Sequence, residues 1–331
     1  MSTTLHRKLL PILRRINNGH FHSGQKLADE FGLSRASVFN VINQAESLGI
    51  TIHAVRGKGY KLPDKVEWLA EDEVLRELGT IADDFSIRID DSADSTNSVL
   101  MAAALAGAPD GAVFCVEHQY AGKGRRGRRW QAGLGGGLTF SVLCRFERGL
   151  QSMAGLSLVA GLALARAINK HSRHPAQLKW PNDVLVGYRK LGGILVEVQG
   201  DMNGAAFAVV GMGLNVHLRE AQRENIDQAV IDLAEMGVTA GRNQLLADCL
   251  RELHSALQLF REHGFAALRA AWMELDAYVG KDVTLLLPNT QAVHGVAAGI
   301  DETGAFLLRD ADNNLVAYNG GEISLRLRPR S

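Results

Sequence analysis

The sequence has few cysteines, no excess of either charge and no long hydrophobic run. Three cysteines in 331 residues lie far apart, with no C-x-x-C pair, which argues against a disulfide framework or a structural zinc site. A formal net charge of zero gives no whole-molecule field that would attract nucleic acid. No apolar run reaches 18 residues without a polar group, and the longest, residues 154–168, predicts a buried helix. With no signal-peptide pattern at its start, the chain is expected in the reducing cytoplasm, away from membranes.

The charges are unevenly distributed along the chain. Residues 1–63 hold nine Lys and Arg against three Asp and Glu, a net charge of +6, which indicates a local anionic partner. Two short helices joined by a turn at Gly32, followed by a hairpin with a turn at residues 56–59, predict a winged helix-turn-helix. A helical cap that touches no DNA is the alternative. The side chains predicted to contact DNA are Arg35, Ser37 and Asn40 of the recognition helix, with Arg56 and Lys58 of the wing.

Two further regions follow, and their patterns differ. Residues 66–275 alternate predicted strands with helices, which is typical of one α/β domain. Residues 277–331 contain only short predicted strands separated by turns rich in Asn, Asp and Gly, which predicts a small SH3-like β-barrel. With the winged helix-turn-helix at 1–63, the chain is predicted to be a multidomain α+β protein.

A basic, glycine-rich loop at residues 119–130 is the most distinctive segment, with three glycines and five cations. It formally satisfies G-x-G-x-x-G, but no helix can begin inside the motif, as a dinucleotide fingerprint requires. It also lacks the G-K-[ST] ending of a phosphate-binding P-loop and the interleaved aromatic residues of an RNA-binding surface. We expect a flexible lid that closes over a small anionic reactant, since glycine permits close backbone approach and arginine makes forked contacts with anions.

A second group of charged residues lies further along the chain, at Lys179-Trp-Pro-Asn-Asp183 and Arg189-Lys190-Leu-Gly-Gly193. Asp183 follows a predicted strand, where a carboxylate can hold Mg²⁺ together with phosphate oxygens. Each residue alone is compatible with an ordinary surface charge. Together with the basic loop they supply cations for a carboxylate and a polyphosphate, which predicts activation of a carboxylic acid by ATP through positioning and charge neutralisation.

Four sequence blocks resemble the signature blocks of biotin protein ligases, in matching order and spacing. They are GKGRRGR at 122–128, KWPND at 179–183, RKLGGILVE at 189–197 and GMGLNV at 211–216. The winged helix in front and the small barrel behind resemble the bifunctional bacterial form, which is both ligase and biotin-operon repressor. The resemblance implies a central catalytic domain of the biotin/lipoyl ligase type.

The resemblance also implies roles for individual residues. Lys190, Arg125 and Asp183 are implied to be catalytic, with Asp183 also holding the metal. Lys123 replaces an arginine of the best-known member, which keeps the charge but loses the fork. Val230 replaces a tryptophan that packs on the adenine, which implies less aromatic stacking. The residues implied to bind biotin, ATP or the adenylate are Ser95, Thr96, Asn97, Gln119, Gly122, Lys123, Gly124, Arg125, Lys190, Gly211 and Asn215.

The implied reaction has two steps, with ATP and Mg²⁺ as cofactors and biotin as both substrate and corepressor precursor. Biotin and ATP give biotinoyl-5′-AMP, and a lysine of the biotin carboxyl carrier protein of acetyl-CoA carboxylase then takes the biotinoyl group. The adenylate is implied to favour a homodimer that binds two-fold operator DNA. Two alternatives are a biotin-sensing DNA-binding regulator without ligase activity and a ligase for another acyl group such as lipoate. Lys190, Asp183 and Arg125 disfavour the first, and the winged helix and KWPND block disfavour the second.

Overall fold

The computed structural model describes residues 3–47, 50–63, 65–130, 132–224, 226–287, 292–320 and 323–327. Residues 1–2 and 328–331, the outer ends of the first and third predicted domains, lie outside this part of the chain. Three regions follow one another in the predicted order: a helical region with a hairpin, a mixed α/β region and a region of short strands. The predicted multidomain α+β organisation is therefore confirmed.

The first region is a winged helix-turn-helix whose helices begin and end at capping residues. Ser23 accepts a hydrogen bond from the backbone N–H of Lys26 (3.2 Å), and Ser34 accepts one from that of Ser37 (3.0 Å). Gly32 ends the second helix with a φ of 63°, a left-handed conformation that glycine adopts without strain. The elements are α1 (Thr3–Arg15), α2 (Gly24–Phe31), α3 (Arg35–Ser47) and the antiparallel wing strands β1 (His53–Val55) and β2 (Gly59–Lys61).

The second region is a mixed sheet with helices on both faces. Its elements are α4 (Glu71–Leu78), β3 (Ser86–Ala93), α5 (Thr96–Leu105), β4 (Ala112–Gln119), β5 (Gly137–Phe146), α6 (Leu156–Asn169), β6 (Gln177–Lys179), β7 (Asp183–Val186), β8 (Arg189–Gly200), β9 (Ala206–Asn215), α7 (Glu220–Glu224), α8 (Arg242–His263) and α9 (Ala266–Glu274). The strand order is β3-β4-β5-β9-β8-β7-β6. The β3–β4 pair is parallel and the other pairs are antiparallel.

The side chains of the sheet alternate between two cores, as the two-residue period of a strand requires. Val210 of β9 packs in the large core with α6 and α8, while the adjacent Val209 packs under α5 on the opposite face. The helical span Leu150–Asn169 is apolar and long enough to cross a membrane by length and composition, yet 67% of its apolar window is buried inside the protein. This span, which includes α6, is the predicted core helix.

The third region is a five-stranded antiparallel sheet. Its strands are β10 (Asp282–Leu286), β11 (Ala292–Ile300), β12 (Phe306–Arg309), β13 (Leu315–Tyr318) and β14 (Ser324–Leu327), in the order β13-β12-β11-β10-β14. Val283, Leu285 and Leu325 point inward and belong to the same core as the central sheet. The barrel region is therefore packed onto the central region through apolar contacts.

The winged helix contacts the central region through hydrogen bonds, an ion pair and apolar packing. The side-chain amide of Asn17 binds both backbone groups of Val66, donating to its carbonyl (2.7 Å) and accepting from its N–H (2.8 Å). Arg14 forms an ion pair with Asp91 (2.8 Å). Leu134, from the loop that precedes β5, is buried in the winged-helix core. The orientation of the winged helix is thus set by side chains from both regions.

Candidate active site

A cavity of about 670 Å³ lies where the central sheet, the basic loop and the barrel region meet. It is lined by the N-terminus of α5, by β8 and β9, by the loop at 123–130, and by residues 323–326 of the barrel. The residues predicted to bind ligand that line it are Ser95, Thr96, Asn97, Gln119, Lys123, Gly124, Arg125, Asp183, Lys190, Gly211 and Asn215. Gly122 lies behind this wall, where a Cβ atom would come within 2.5 Å of the Trp130 carbonyl oxygen.

One end of the cavity has a buried polar floor. Asn97 donates from Nδ2 to Glu197 (2.7 Å) and accepts at Oδ1 from the Ser141 hydroxyl (2.6 Å). Ser141 Oγ also lies 2.7 Å from the Thr96 hydroxyl, and Thr96 donates its backbone N–H to Gln119 Oε1 (2.7 Å). Because these groups are held by one another in a buried network, their donors and acceptors are preorganised for a polar ring.

Sequence reasoning missed Ser141 and Glu197. The signal for Ser141 was a polar residue in the mostly apolar strand β5, where every residue but Arg145 is buried. A buried hydroxyl in such a strand needs a hydrogen-bond partner. Its partner, Asn97, lies 44 residues earlier in the chain, so the pair could not be identified from spacing.

Glycines and one tryptophan shape the wall beside this floor. A Cβ atom at Gly211 would overlap Asn97 Oδ1, and one at Gly213 would overlap the Trp130 ring. The Trp130 ring also lines the cavity, and its Nε1 donates to Thr139 Oγ1 (3.2 Å). The cavity therefore combines an aromatic face with polar groups, which suits a flat, uncharged, hydrogen-bonding ring.

The cavity also holds a charged cluster built on the KWPND segment. Asp183 Oδ1 lies 2.6 Å from Lys190 Nζ, and Asp183 Oδ2 lies 3.9 Å from Lys179 Nζ. Arg125 donates to Asn182 Oδ1 (2.9 Å). Burial lowers the pKa of both Lys179 and Arg125, with the charge of Asp183 opposing the shift in each. Among the described residues that line the cavity, eight are cationic and two, Asp183 and Asp227, are acidic. The cationic residues are Lys123, Arg125, Arg126, Arg128, Arg129, Lys179, Lys190 and Arg326. An anion would be favoured there.

Among the described residues, no group of three or more His, Cys, Asp or Glu side chains could hold a metal ion. Asp183 is the predicted metal ligand, and in this structure its Oδ1 atom is paired with the Lys190 ammonium group. One carboxylate is compatible with Mg²⁺ that arrives on ATP, because Mg²⁺ is usually held by one or two carboxylates plus substrate phosphates.

The basic loop folds back on itself above the charged cluster. Gly124 donates its N–H to the Arg128 carbonyl (2.8 Å), and Trp130 donates to that of Gly122 (2.9 Å). Lys123 Nζ donates to Ser98 Oγ (2.8 Å), so its charge points toward the N-terminal turn of α5. The loop is therefore a tight basic hairpin with a turn at its tip.

The segment that follows α7 reaches the site through backbone contacts. Lys190 donates its N–H to the Ala229 carbonyl (2.8 Å), and its carbonyl accepts from Ile231 (3.0 Å), which places Val230 in the cavity wall. Asn215 donates Nδ2 to the carbonyls of Lys190 (3.3 Å) and Ile231 (3.1 Å). Asn215 thus anchors the backbone that carries Lys190.

The barrel contributes a residue that sequence reasoning missed. Arg326 of β14 lines the cavity, and the Ile323 carbonyl lies 3.5 Å from Arg125 Nη2. Arg326 lies far along the chain from Lys190, in a region whose pattern predicted only a small barrel. No local signal marked it.

The predicted DNA-contacting residues lie on the winged helix. Arg35, Asn40, Arg56 and Lys58 are exposed, whereas Ser37 is half-buried. Ser37 Oγ lies 2.8 Å from Ser34 Oγ at the start of α3. Four of the five side chains therefore lie outside the protein interior, and their DNA contacts stay a prediction.

Comparisons with known proteins match all three regions. The model of the biotin/lipoate A/B protein ligase family matches residues 91–215, that of the biotin protein ligase C-terminal domain matches 278–326, and an HTH domain matches 8–61. The bifunctional ligase/repressor BirA of Escherichia coli is 37% identical over 96% of this chain and 97% of its own length. The biotin--[acetyl-CoA-carboxylase] ligase of Mycobacterium tuberculosis is 37% identical over 70% of this chain and 86% of its own length. The biotin protein ligase from Aquifex aeolicus, solved with biotin and ATP, superposes with a TM-score of 0.64 at 29% identity, covering 73% of this chain and 99% of that one.

Proposed function

This chain belongs to the biotin protein ligase family, and we propose that its cavity joins biotin to ATP and passes the biotinoyl group to a carrier protein. It is a ligase with a DNA-binding repressor domain, as the resemblance of its sequence blocks implied. The observation that carries the assignment of the site is one cavity with a polar floor, an aromatic wall and a cationic cluster. The polar floor suits a cyclic urea, and the aromatic wall suits an aliphatic chain. The cationic cluster suits a carboxylate that lies beside a triphosphate. We place the enzyme in the cytoplasm and its domains at 1–63, 66–275 and 277–331.

The polar floor receives the ureido ring of biotin. Thr96, Asn97 and Gln119 line the cavity and offer both donors and acceptors, as a ring with N–H groups and a carbonyl needs, and Ser141 holds Thr96 and Asn97 from behind. Their mutual hydrogen bonds are made before the ligand arrives. A ligand without those groups, such as the dithiolane ring of lipoate, would leave buried polar atoms unpaired, at a cost of about 1–3 kcal/mol for each. The floor therefore favours biotin over lipoate.

The cationic cluster serves the first step. A biotin carboxylate oxygen bonds to the α-phosphorus of ATP, the bond to the bridging oxygen breaks, and diphosphate leaves. Lys190 and Arg125 neutralise the charge that develops on the phosphate oxygens. Asp183 holds Lys190 until substrate arrives, and Asp183 would then hold the Mg²⁺ that comes with ATP. Mg²⁺ supplies further neutralisation of the triphosphate when bound.

The second step needs water to be kept out. The ε-amine of the carrier lysine attacks the anhydride carbonyl, the new C–N bond forms, and the C–O bond to AMP breaks. The anhydride is open to hydrolysis while it waits, so a lid over the cavity protects it. Lys123, Gly124 and Arg125 lie in the hairpin that covers this position. The partner is a carboxylase carrier protein, the acceptor that the relatives' function implies.

Incubation of the protein with biotin, ATP, Mg²⁺ and a carrier domain tests the proposal. Biotin on the carrier is the expected product. Lys190→Ala should lower the rate of adenylate formation by about 10²–10³-fold, the usual effect of removing one group that stabilises transition-state charge. Lys281→Ala removes an exposed lysine outside the cavity and should leave the rate unchanged. A chain that binds biotin but makes no adenylate would instead be a regulator without ligase activity.

We propose that repression works through a homodimer formed by the outer edge of β8. The β7–β8 pairing ends at Gly193, and Asn182 binds the backbone N–H and carbonyl of Ile194, so residues 196–200 pair on one side only, with β9, among the strands of the described chain. Val198 on that stretch is 47% exposed. An unpaired edge is a template for strand addition. In sedimentation velocity, the fraction of protein that sediments as a dimer should increase when biotin and ATP are added. The Val198→Lys variant should lose this dimer and should still form the adenylate. An unchanged dimer in that variant would place the interface elsewhere.

A further inference from the structure

The recognition helix α3 presents an aromatic residue to solvent. Its buried face consists of Val38, Val41, Ile42 and Ala45, which are at most 5% exposed. Phe39 lies on the opposite face and is 54% exposed. Among residues 35–45 of α3, whose exposure the structure describes, the exposed ones are Arg35, Ala36, Phe39, Asn40 and Asn43. With 3.6 residues per turn they form one stripe, and Phe39 lies near its centre.

An isolated exposed apolar side chain needs no explanation by itself. Phe39 differs because its neighbours on the stripe are of the residue types that contact nucleic acid. Arg35 lies one turn before it and Asn43 one turn after it, and Arg56 and Lys58 of the wing are exposed as well. The region from 1 to 63 carries a net charge of +6. A partner for this surface must therefore be anionic and must also offer an apolar group beside Arg35.

Duplex DNA meets both requirements. Its phosphates supply the charge, and the thymine C5-methyl is the apolar group that the major groove presents to a recognition helix. We propose that Phe39 packs on thymine methyl groups in the major groove of the operator and thereby sets part of its sequence specificity. This inference rests on the proposed repressor function.

The position of Phe39 on α3 fixes where the thymine lies. Arg35 and Phe39 are four residues apart, which separates them by roughly 6 Å along the helix axis. Arg35 is at the N-terminal end of α3, the end that contacts base edges in helix-turn-helix proteins. The thymine read by Phe39 is therefore within two or three base pairs of the position that Arg35 contacts, once in each half-site of a two-fold operator.

To test the inference, duplexes that bind the full chain are selected from a random DNA library in the presence of biotin, ATP and Mg²⁺. Each thymine of the selected duplex is then replaced in turn by deoxyuridine, which removes only the methyl group. One thymine per half-site should be sensitive, and its replacement should weaken wild-type binding by about fourfold, the effect of one buried methyl-sized group. Phe39→Ala should bind the unmodified duplex more weakly and should show no further loss with deoxyuridine.

Two controls separate this result from misfolding or a general loss of affinity. Phe39→Ala should keep wild-type ligase activity. Leu105→Ala removes another exposed apolar side chain, 64% exposed at the end of α5, and should keep the sensitivity to deoxyuridine. Equal sensitivity in wild type and Phe39→Ala would overturn the inference. Selection without any enriched sequence would overturn the repressor proposal and the inference together, whereas enrichment without a sensitive thymine would overturn the inference alone.

Discussion

Trp180, the second residue of the KWPND segment, connects the charged cluster to the barrel. Its side chain is 2% exposed, and its Nε1 donates to the Gly304 carbonyl at 3.0 Å. Its ring packs on Phe306, with 5.4 Å between ring centroids. Arg326 reaches the cavity from the same barrel. We therefore predict that Trp180→Phe weakens ATP binding while leaving biotin binding intact.

The size of the effect follows from the contacts that are lost. Phenylalanine keeps the ring against Phe306 but leaves the buried Gly304 carbonyl without its donor, which costs about 1–3 kcal/mol. Trp180→Ala would add a cavity and cost about 3–5 kcal/mol, enough to unfold a marginally stable domain. The phenylalanine variant should therefore fold, with a barrel that is held less firmly. If half of the cost appears as misplacement of Arg326, the KM for ATP rises by up to roughly tenfold, since about 1.4 kcal/mol is a factor of ten.

Initial rates of diphosphate release, measured over a matrix of ATP and biotin concentrations, give the two KM values separately. Trp68→Phe is the matched control, because Trp68 lies at the joint with the winged helix, where Arg14 stacks on its ring at 4.4 Å from the centroid. That variant should leave both KM values unchanged. A rise of both KM values in Trp180→Phe, or of neither, would refute the reasoning.

Two more predictions concern the cavity floor and a buried carboxyl group. Gly211→Ala places a methyl group against Asn97 Oδ1 and separates Asn97 from Ser141, so the biotin Kd measured by calorimetry should rise at least about tenfold with little change for ATP. Burial raises the pKa of Asp276 to about 6, above its usual value near 3.9, and its Oδ2 has no hydrogen-bond partner among the described residues. Because the folded state binds the proton more tightly, the free energy of unfolding falls as pH rises from about 4 to about 6 and stays lowered above that range. Asp276→Asn should therefore be more stable than wild type at pH 8, by at most about 3 kcal/mol, and denaturant titrations should show the gap closing toward pH 4; a gap independent of pH would contradict the assignment.

The sequence predicted the site to the extent that its residues lie in recognisable blocks. Asp183 and Lys190 were assigned to one charged group because their two blocks follow each other closely in the sequence, and they form an ion pair in the structure. Contacts between distant segments could not be predicted in this way. Ser141 meets Asn97 across 44 residues and Arg326 arrives from another domain, because tertiary packing alone determines which strands and turns become neighbours.

The orientation of side chains on the recognition helix was only partly predictable. Helical periodicity separates the buried from the exposed face of α3, yet Ser37 was assigned to the DNA face from its residue type. In the structure Ser37 lies at the capped start of the helix, 2.8 Å from the Ser34 hydroxyl, because small hydroxyl side chains prefer local hydrogen bonds at helix ends. Phe39 was left out for a related reason, since only polar residue types were assigned to that face.

The C-terminal end of the basic loop is held in place by contacts, unlike the end of a freely moving lid. Trp130, at its end, is held by the Thr139 hydroxyl and packs against Gly213 in the cavity wall. A few residues later, Leu134 is buried in the core of the winged helix. One short stretch of backbone therefore carries a side chain of the ligand cavity and a side chain of the DNA-binding domain. Trp130 and Leu134 are thus held in two separate parts of the protein, so the lid movement that the sequence predicts would take place before Trp130.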